Sequence, residues 1–248
     1  MKKRASPTYR NKSAQIADSL MSRIINTGLK PGDLLGTEAE LVAEHEVSRP
    51  TLRESLRMLE AQGVVRLRPG PGGGVAVGQP TVDTLAHALS VFLYLQAVPF
   101  GTVLKAREVI EPALAFEAAT NGTESEFAEL EQSIERMKEV ESQEDFIQEN
   151  RAFHQIIARA SRNKVLESFW EAISLLAHGE QHAVTYTFGN RMHVIKAHQE
   201  ILAACRDRNP EGASACMAAH VGELEHLVKK RYRSALAEPT RIMVKATA

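Results

Sequence analysis

Eight of the thirteen residues from Pro69 to Thr81, PGPGGGVAVGQPT, are glycine or proline. Glycine loses the most backbone freedom when ordered, and proline lacks an N–H and clashes with the preceding helical turn. No helix runs through such a stretch, so the 248-residue chain is cut into two parts. Each part is long enough to bury a core of its own.

The first part mixes short helices with extended segments. Residues 13–27 place Ile16, Leu20 and Ile24 on one helical face, and Gly28 stands just past the end, where φ > 0 is needed. LKPGDLLG reads as an extended turn. Thr37 followed by Glu40 forms a capping box for a second helix, TEAELVAEH. Ser48 caps a third, which runs to about Gln62 and ends at Gly63; Pro50 in its first turn removes an N–H that has no helical partner. VVRLR and VAV flank the glycines as a hairpin. Helix, helix, turn, helix, hairpin is the order of a winged helix-turn-helix.

Beyond residue 80 the apolar spacing is helical to the end, with segments at roughly 82–96, 100–119, 123–140, 143–161, 163–185, 190–207 and 210–236. TESEF at 123 and SQEDF at 142 are Ser/Thr starts with acidic first turns. Asn190 and Pro210 mark further boundaries. The expected fold is mainly α: a winged helix-turn-helix followed by an antiparallel bundle of about seven helices. The expected domains are a basic arm over 1–12, the winged unit over 13–78, a linker over 79–82, the bundle over 83–236 and a tail over 237–248.

The formal net charge of -1 conceals an asymmetry: residues 1–80 carry 12 Lys/Arg against 8 Asp/Glu, the remainder 18 against 23. A basic first part on a mildly acidic body points to a polyanion partner for that part alone. No apolar run nears the roughly 18 residues of a membrane span. The basic start MKKRASPTYRNKSAQ lacks an apolar region behind it and does not read as a secretory signal. Cys205 and Cys216 are too few for a disulfide framework, so a reducing cytoplasm is expected.

The third helix opens SRPTLRESLRML. Arg49, Thr51 and Arg53 lie within its first six residues, where a recognition helix meets base edges, and the arginine fork matches guanine O6 and N7. Leu52, Leu56 and Leu59 point into the core, and Arg57 can reach phosphate. Arg66 and Arg68 lie in the hairpin, whose glycines leave N–H groups free for the DNA backbone. Lys2, Lys3, Arg4 and Arg10 belong to the arm.

The stretch LKPGDLLGTEAELVAEHEVSRPTLRESLRMLEAQGVVRLRPGPGGGVAV resembles the N-terminal domain of GntR-family regulators. The family pattern is roughly L-x-P-G-x-x-L-P-S-E-x-x-L-A, then V-S-R-x-x-V-R-x-A-L-x-x-L-x-x-x-G, then a glycine-rich wing. The resemblance implies DNA contacts from Arg49 and Arg53, with Thr51 beside them and the wing tip near Gly70. Gly36 and Thr37 depart from the usual Pro-Ser, and Ser48 is expected to cap through Thr51.

In the second part, Asn150 and His154 are four apart on one helix and face one side, with His198 and His220 on two later helices. Spacing alone does not select this set, because His178, His182, His193 and His226 compete. No HExxH and no C-x-x-C occurs. KAREVIEPALAFEAA, NRAFHQIIARASRN and HQEILAACRDRNPEGASACMAAHV, in that order, resemble the FCD effector domain of the FadR-type subfamily. That resemblance implies a divalent metal of the zinc, nickel or manganese class held by Asn150, His154, His198 and His220. It also implies an effector carboxylate at Arg107; Glu111, four residues on, either pairs with and orients that arginine or meets the effector directly. An amide oxygen at Asn150 is a weaker ligand than the commoner aspartate, which predicts weaker metal retention and stronger attraction for an anionic effector.

The expected function is a ligand-responsive regulator, a repressor, of a carboxylate or sugar-acid operon, acting as a cytoplasmic homodimer on a palindromic operator. The alternative is a metal-dependent enzyme acting on a small organic acid, for which no residue is placed as general base.

Overall fold

The computed structural model describes residues 11–70, 72–178, 187–231 and 236–242. Lys2, Lys3, Arg4 and Arg10 of the expected arm lie outside these, as do His182 and the side chains of His178 and His226. The chain divides into two compact units, one up to Thr84 and one from Leu85.

In the first unit, α1 spans Lys12–Thr27. It starts one residue before the expected position because Asn11 is its cap, accepting from the Ser13 N–H at 3.2 Å. Ser13 is buried and donates its hydroxyl to Glu54 at 2.6 Å, tying the start of α1 to the third helix. Gly28 ends α1 in the left-handed region at φ 66, where its N–H closes onto the last carbonyls.

The segment expected as an extended turn contains a short strand, β1 (Leu34–Gly36), which pairs antiparallel with β3 (Gly74–Val77). β2 (Val65–Arg68) pairs with the other edge of β3, giving the order β1-β3-β2. Three residues carry almost no strand signal of their own; pairing to β3 makes β1 a strand. Within the β2–β3 hairpin, a Cβ on Gly73 would fall 2.2 Å from the Arg68 carbonyl oxygen, so only glycine closes this tip.

Between the strands lie α2 (Glu38–Glu44) and α3 (Arg49–Ala61). Both halves of the capping box between Thr37 and Glu40 are made. Ser48 caps α3 through the Thr51 N–H at 3.3 Å, as the residue pattern predicts. Leu20, Leu41, Leu52 and Val75 are fully buried in one cluster, and each such side chain contributes roughly 1.5–3 kcal/mol relative to exposure.

Seven helices follow among the described residues, the first beginning just before the boundary and the rest within the second unit: α4 (Val82–Leu95), α5 (Phe100–Asn121), α6 (Glu124–Glu139), α7 (Gln143–Ala160), α8 (Lys164–His178), α9 (Phe188–Arg206) and α10 (Pro210–Arg231). α5 is central, packing on α7, α8, α9 and α10. Thr123 and Ser142 cap α6 and α7 as expected. The boundary marked at Asn190 falls slightly earlier: Thr187 caps α9, its hydroxyl accepting from the Asn190 N–H at 3.3 Å, which places Asn190 inside the first turn.

The residues after 236, expected as a tail, are held against the α4–α5 turn as far as they are described. The Phe100 N–H donates to the Glu238 carbonyl and the Thr240 N–H to that of Val98, both at 2.9 Å. Leu236 packs with Phe100 in a small cluster beside the main core. Cys205 is buried, and burial pushes its thiol up to about 12; Cys216 is half-buried, and neither forms a disulfide.

Candidate functional site

In the second unit three imidazoles converge. α7 carries His154, α9 carries His198 and α10 carries His220, all buried. The Nε2 atoms of His154 and His220 are 3.2 Å apart, and those of His198 and His220 are 3.1 Å apart. His198 lies flat on Phe153, ring centroids 3.8 Å apart, which holds its plane. Nitrogen ligands about 2.1 Å from a common cation stand roughly 3.0–3.4 Å from one another, so the cluster has the dimensions of a metal site.

Electrostatics favour the neutral, ligating form. Burial, then the neighbouring His220 and His154, holds His198 well below the usual histidine range. Burial and His154 push His220 down to about 3. At these separations a neutral pair either shares an Nε2 proton in a hydrogen bond or, with both protons on Nδ1, turns its Nε2 lone pairs to a common cation.

Around the cluster, α5 supplies Arg107 and Glu111, both buried. Arg107 Nε donates to Glu111 Oε1 at 2.5 Å, and Glu111 Oε2 lies 2.6 Å from His154 Nδ1. A carboxylate only accepts, so the proton belongs on Nδ1, and the His154 Nε2 lone pair is left to face the other two histidines. Burial alone would raise the Glu111 carboxyl; the Arg107 guanidinium and His154 overcome it and hold the acid well below the usual carboxylate range.

Asn150 is buried one turn before His154 on α7, and its Oδ1 has no hydrogen-bond partner. An orphaned amide oxygen inside a core is costly unless something else satisfies it. The donor set of three neutral imidazoles with a free amide oxygen on the same helix face fits a divalent cation. His193, a competitor by spacing, is at the surface with Glu223, 2.6 Å away, and takes no part.

Sequence reasoning paired Arg107 with Glu111 and missed the contact of Glu111 with His154. The first pair is four apart on one helix, a readable spacing. The second joins two helices and has no local signature.

In the first unit, Arg49, Arg53 and Arg57 are exposed at successive turns of α3, with Leu52, Leu56 and Leu59 buried opposite. Ser48 is exposed at the cap and Thr51 half-buried, their hydroxyls 2.8 Å apart. Gly70 stands at the hairpin tip with φ 91. Arg53 Nε donates to Glu38 Oε2 at 2.9 Å, a pairing across helices that the sequence did not announce. A basic helix exposed beside a glycine-tipped hairpin is the surface with which such folds enter a DNA groove.

A winged unit with this face, followed by a helical unit with a buried histidine cluster, is the arrangement of a DNA-binding transcriptional regulator that responds to a small molecule. The chain belongs to the GntR family of bacterial regulatory proteins, whose model matches residues 12–75, and carries an FCD domain over residues 102–223. It is 30% identical over 209 residues to the Uxu operon regulator of Haemophilus influenzae, covering 82% of this chain and 76% of that one. It is 28% identical over 169 residues to the galactonate operon transcriptional repressor of Escherichia coli, covering 67% and 74%. A Streptococcus agalactiae GntR structure shares the fold with a TM-score of 0.66 at 23% identity, covering 86% of this chain and 99% of that one. Membership in a family of regulators sets aside the enzyme reading. Among the described residues no helix is long and apolar enough to cross a membrane.

Proposed function

We propose that the protein is a homodimeric cytoplasmic repressor of an operon for a carboxylate or sugar acid, released from a palindromic operator by that acid. Arg49 and Arg53 read base edges with Thr51 beside them; Ser48 sets the start of the helix; Arg57 and the wing at Gly70 meet the DNA backbone. Asn150, His154, His198 and His220 hold a divalent cation of the zinc, nickel or manganese class, and Arg107 takes the effector's carboxylate. The bound cation supplies a fixed positive charge to which an anionic effector is drawn. Effector binding shifts the protein between two arrangements, of which one spaces two recognition helices for their half-sites.

The observation that carries the reading is the convergence of three buried Nε2 atoms in the same core as a buried arginine. An acid-responsive role is supported further by the printed name of the Escherichia coli relative, a galactonate operon repressor. The test is metal analysis of purified protein, followed by a thermal-shift screen across carboxylates and operator titration with the acid that raises Tm. Bound metal lost in His198→Ala, with operator release by the acid, is the expected result. A wild-type protein that is metal-free and still fully acid-responsive overturns the metal assignment.

A further inference from the structure

Arg107 Nε donates to one oxygen of Glu111, and the other oxygen lies 2.6 Å from His154 Nδ1 as a close charge contact. A guanidinium has no acceptor, and the His154 nitrogen that faces a carboxylate carries its proton. Only a carboxylate accepts on both sides; a glutamine would offer one acceptor and one NH2. One buried anion therefore serves the arginine of α5 and the histidine of α7 at once.

We propose that Glu111 links the two halves of the sensing site: a carboxylate arriving at Arg107 tightens the cation at His154, His198 and His220, and the cation tightens the carboxylate. The inference rests on the reading of these residues as carboxylate and cation sites, and it adds a positioning role for Glu111 between them. With Arg107 drawing on its charge, Glu111 is a weakened acceptor for the His154 N–H. An incoming carboxylate takes part of that pull away. Glu111 then holds the His154 N–H more firmly, and the opposite Nε2 becomes a more basic ligand. Linkage makes the effect reciprocal. Because Glu111 engages Nε, the two terminal amino groups of Arg107 are left as the fork for a planar carboxylate.

The same logic dictates an unusual rescue. In Glu111→Gln the single acceptor oxygen goes to Arg107, which cannot do without one, and the NH2 turns to His154. The imidazole responds by moving its proton to Nε2, where it blocks ligation. Removing the arginine as well frees the amide to turn, and its oxygen again receives the Nδ1 proton.

The experiment measures Zn2+ dissociation constants by chelator competition for wild type, Glu111→Gln, Arg107→Met and the double variant, with imidazole 15N spectra of the zinc-free proteins. Glu111→Gln is expected to weaken Zn2+ binding about 10–100-fold and to move the His154 proton to Nε2. The double variant is expected to recover at least about 5-fold of that loss, a coupling of ordinary allosteric size. Equal zinc affinity in wild type and Glu111→Gln overturns the linkage, as does a double variant no better than Glu111→Gln. Should the double variant fail to fold, the tautomer in Glu111→Gln decides: a proton that stays on Nδ1 refutes the proposal. Wild type that binds no Zn2+ brings down the cation reading itself, whereas wild type that binds Zn2+ beside additive variants brings down the linkage alone.

Discussion

Glu38, the first residue of α2, holds Arg53 of α3 by its Nε, with 2.9 Å between the atoms. The pair is solvated, the arginine side chain being 62% exposed, so it contributes only about 0–1 kcal/mol to stability. Its consequence is orientational. With Nε occupied, Arg53 presents its two terminal amino groups as an end-on fork, the form in which arginine reads guanine.

Glu38→Gln is therefore expected to leave Tm nearly unchanged while relaxing specificity. It removes a negative charge near the DNA, so affinity for random duplex rises, and the preference at the Arg53 base pair falls by about 1 kcal/mol or more. Titrations with operator and with single-base variants would read this. Unchanged discrimination would mean that Glu38 is a bystander.

Arg53→Ala and Arg57→Ala should differ in kind. The first is expected to cost roughly 1–3 kcal/mol, concentrated at one base position. The second should weaken all sequences alike and reduce the salt slope by about 1. Fluorescence anisotropy across a salt series, on operator and scrambled duplex, separates the two; identical profiles would misplace α3.

Acid should destabilise the metal-free protein from about pH 6.5 downward. His198 and His220 have native values pushed below the ordinary 6.5, the second to about 3. Between those limits the unfolded chain binds protons that the native chain refuses, so stability is present above 6.5 and drains away as pH falls. The slope is about 1.4 kcal/mol per pH unit for each histidine. Glu111, held below its ordinary 4.5, adds a further loss beneath that value. Urea unfolding of chelator-treated protein is expected to lose about 2 kcal/mol between roughly pH 7 and 5.5. A flat profile would contradict neutral burial of the two rings.

Gly73→Ala tests the wing. The added methyl meets the Arg68 carbonyl oxygen at 2.2 Å and must displace the hairpin tip. A cost of about 1–3 kcal/mol to the first unit is expected, with weaker operator binding and unchanged metal content. Operator affinity equal to wild type would remove the tip from the DNA contact.

Much of this protein was legible before folding, because the signals are local. The capping box at Thr37, the Thr123 and Ser48 caps, the 52/56/59 leucine spacing and the glycines around Gly73 each act within a few residues. Seven helical segments followed from period and caps alone. What was not legible is non-local: β1 is a strand only because β3 lies beside it, and Glu238 and Thr240 take their backbone hydrogen bonds from the α4–α5 turn. The start of α9 lies a few residues before the boundary marked at Asn190, because the Thr187 hydroxyl caps it.

The chain by itself determined its elements, its glycine-rich hairpin and the face of α3 that carries arginine, since propensity, capping and periodicity are properties of neighbours in sequence. Only tertiary structure decided which histidines meet, that Glu111 stands between Arg107 and His154, and that Glu38 restrains Arg53. Those relations depend on how helices pack, and a side chain four residues away says nothing about one brought alongside from another helix.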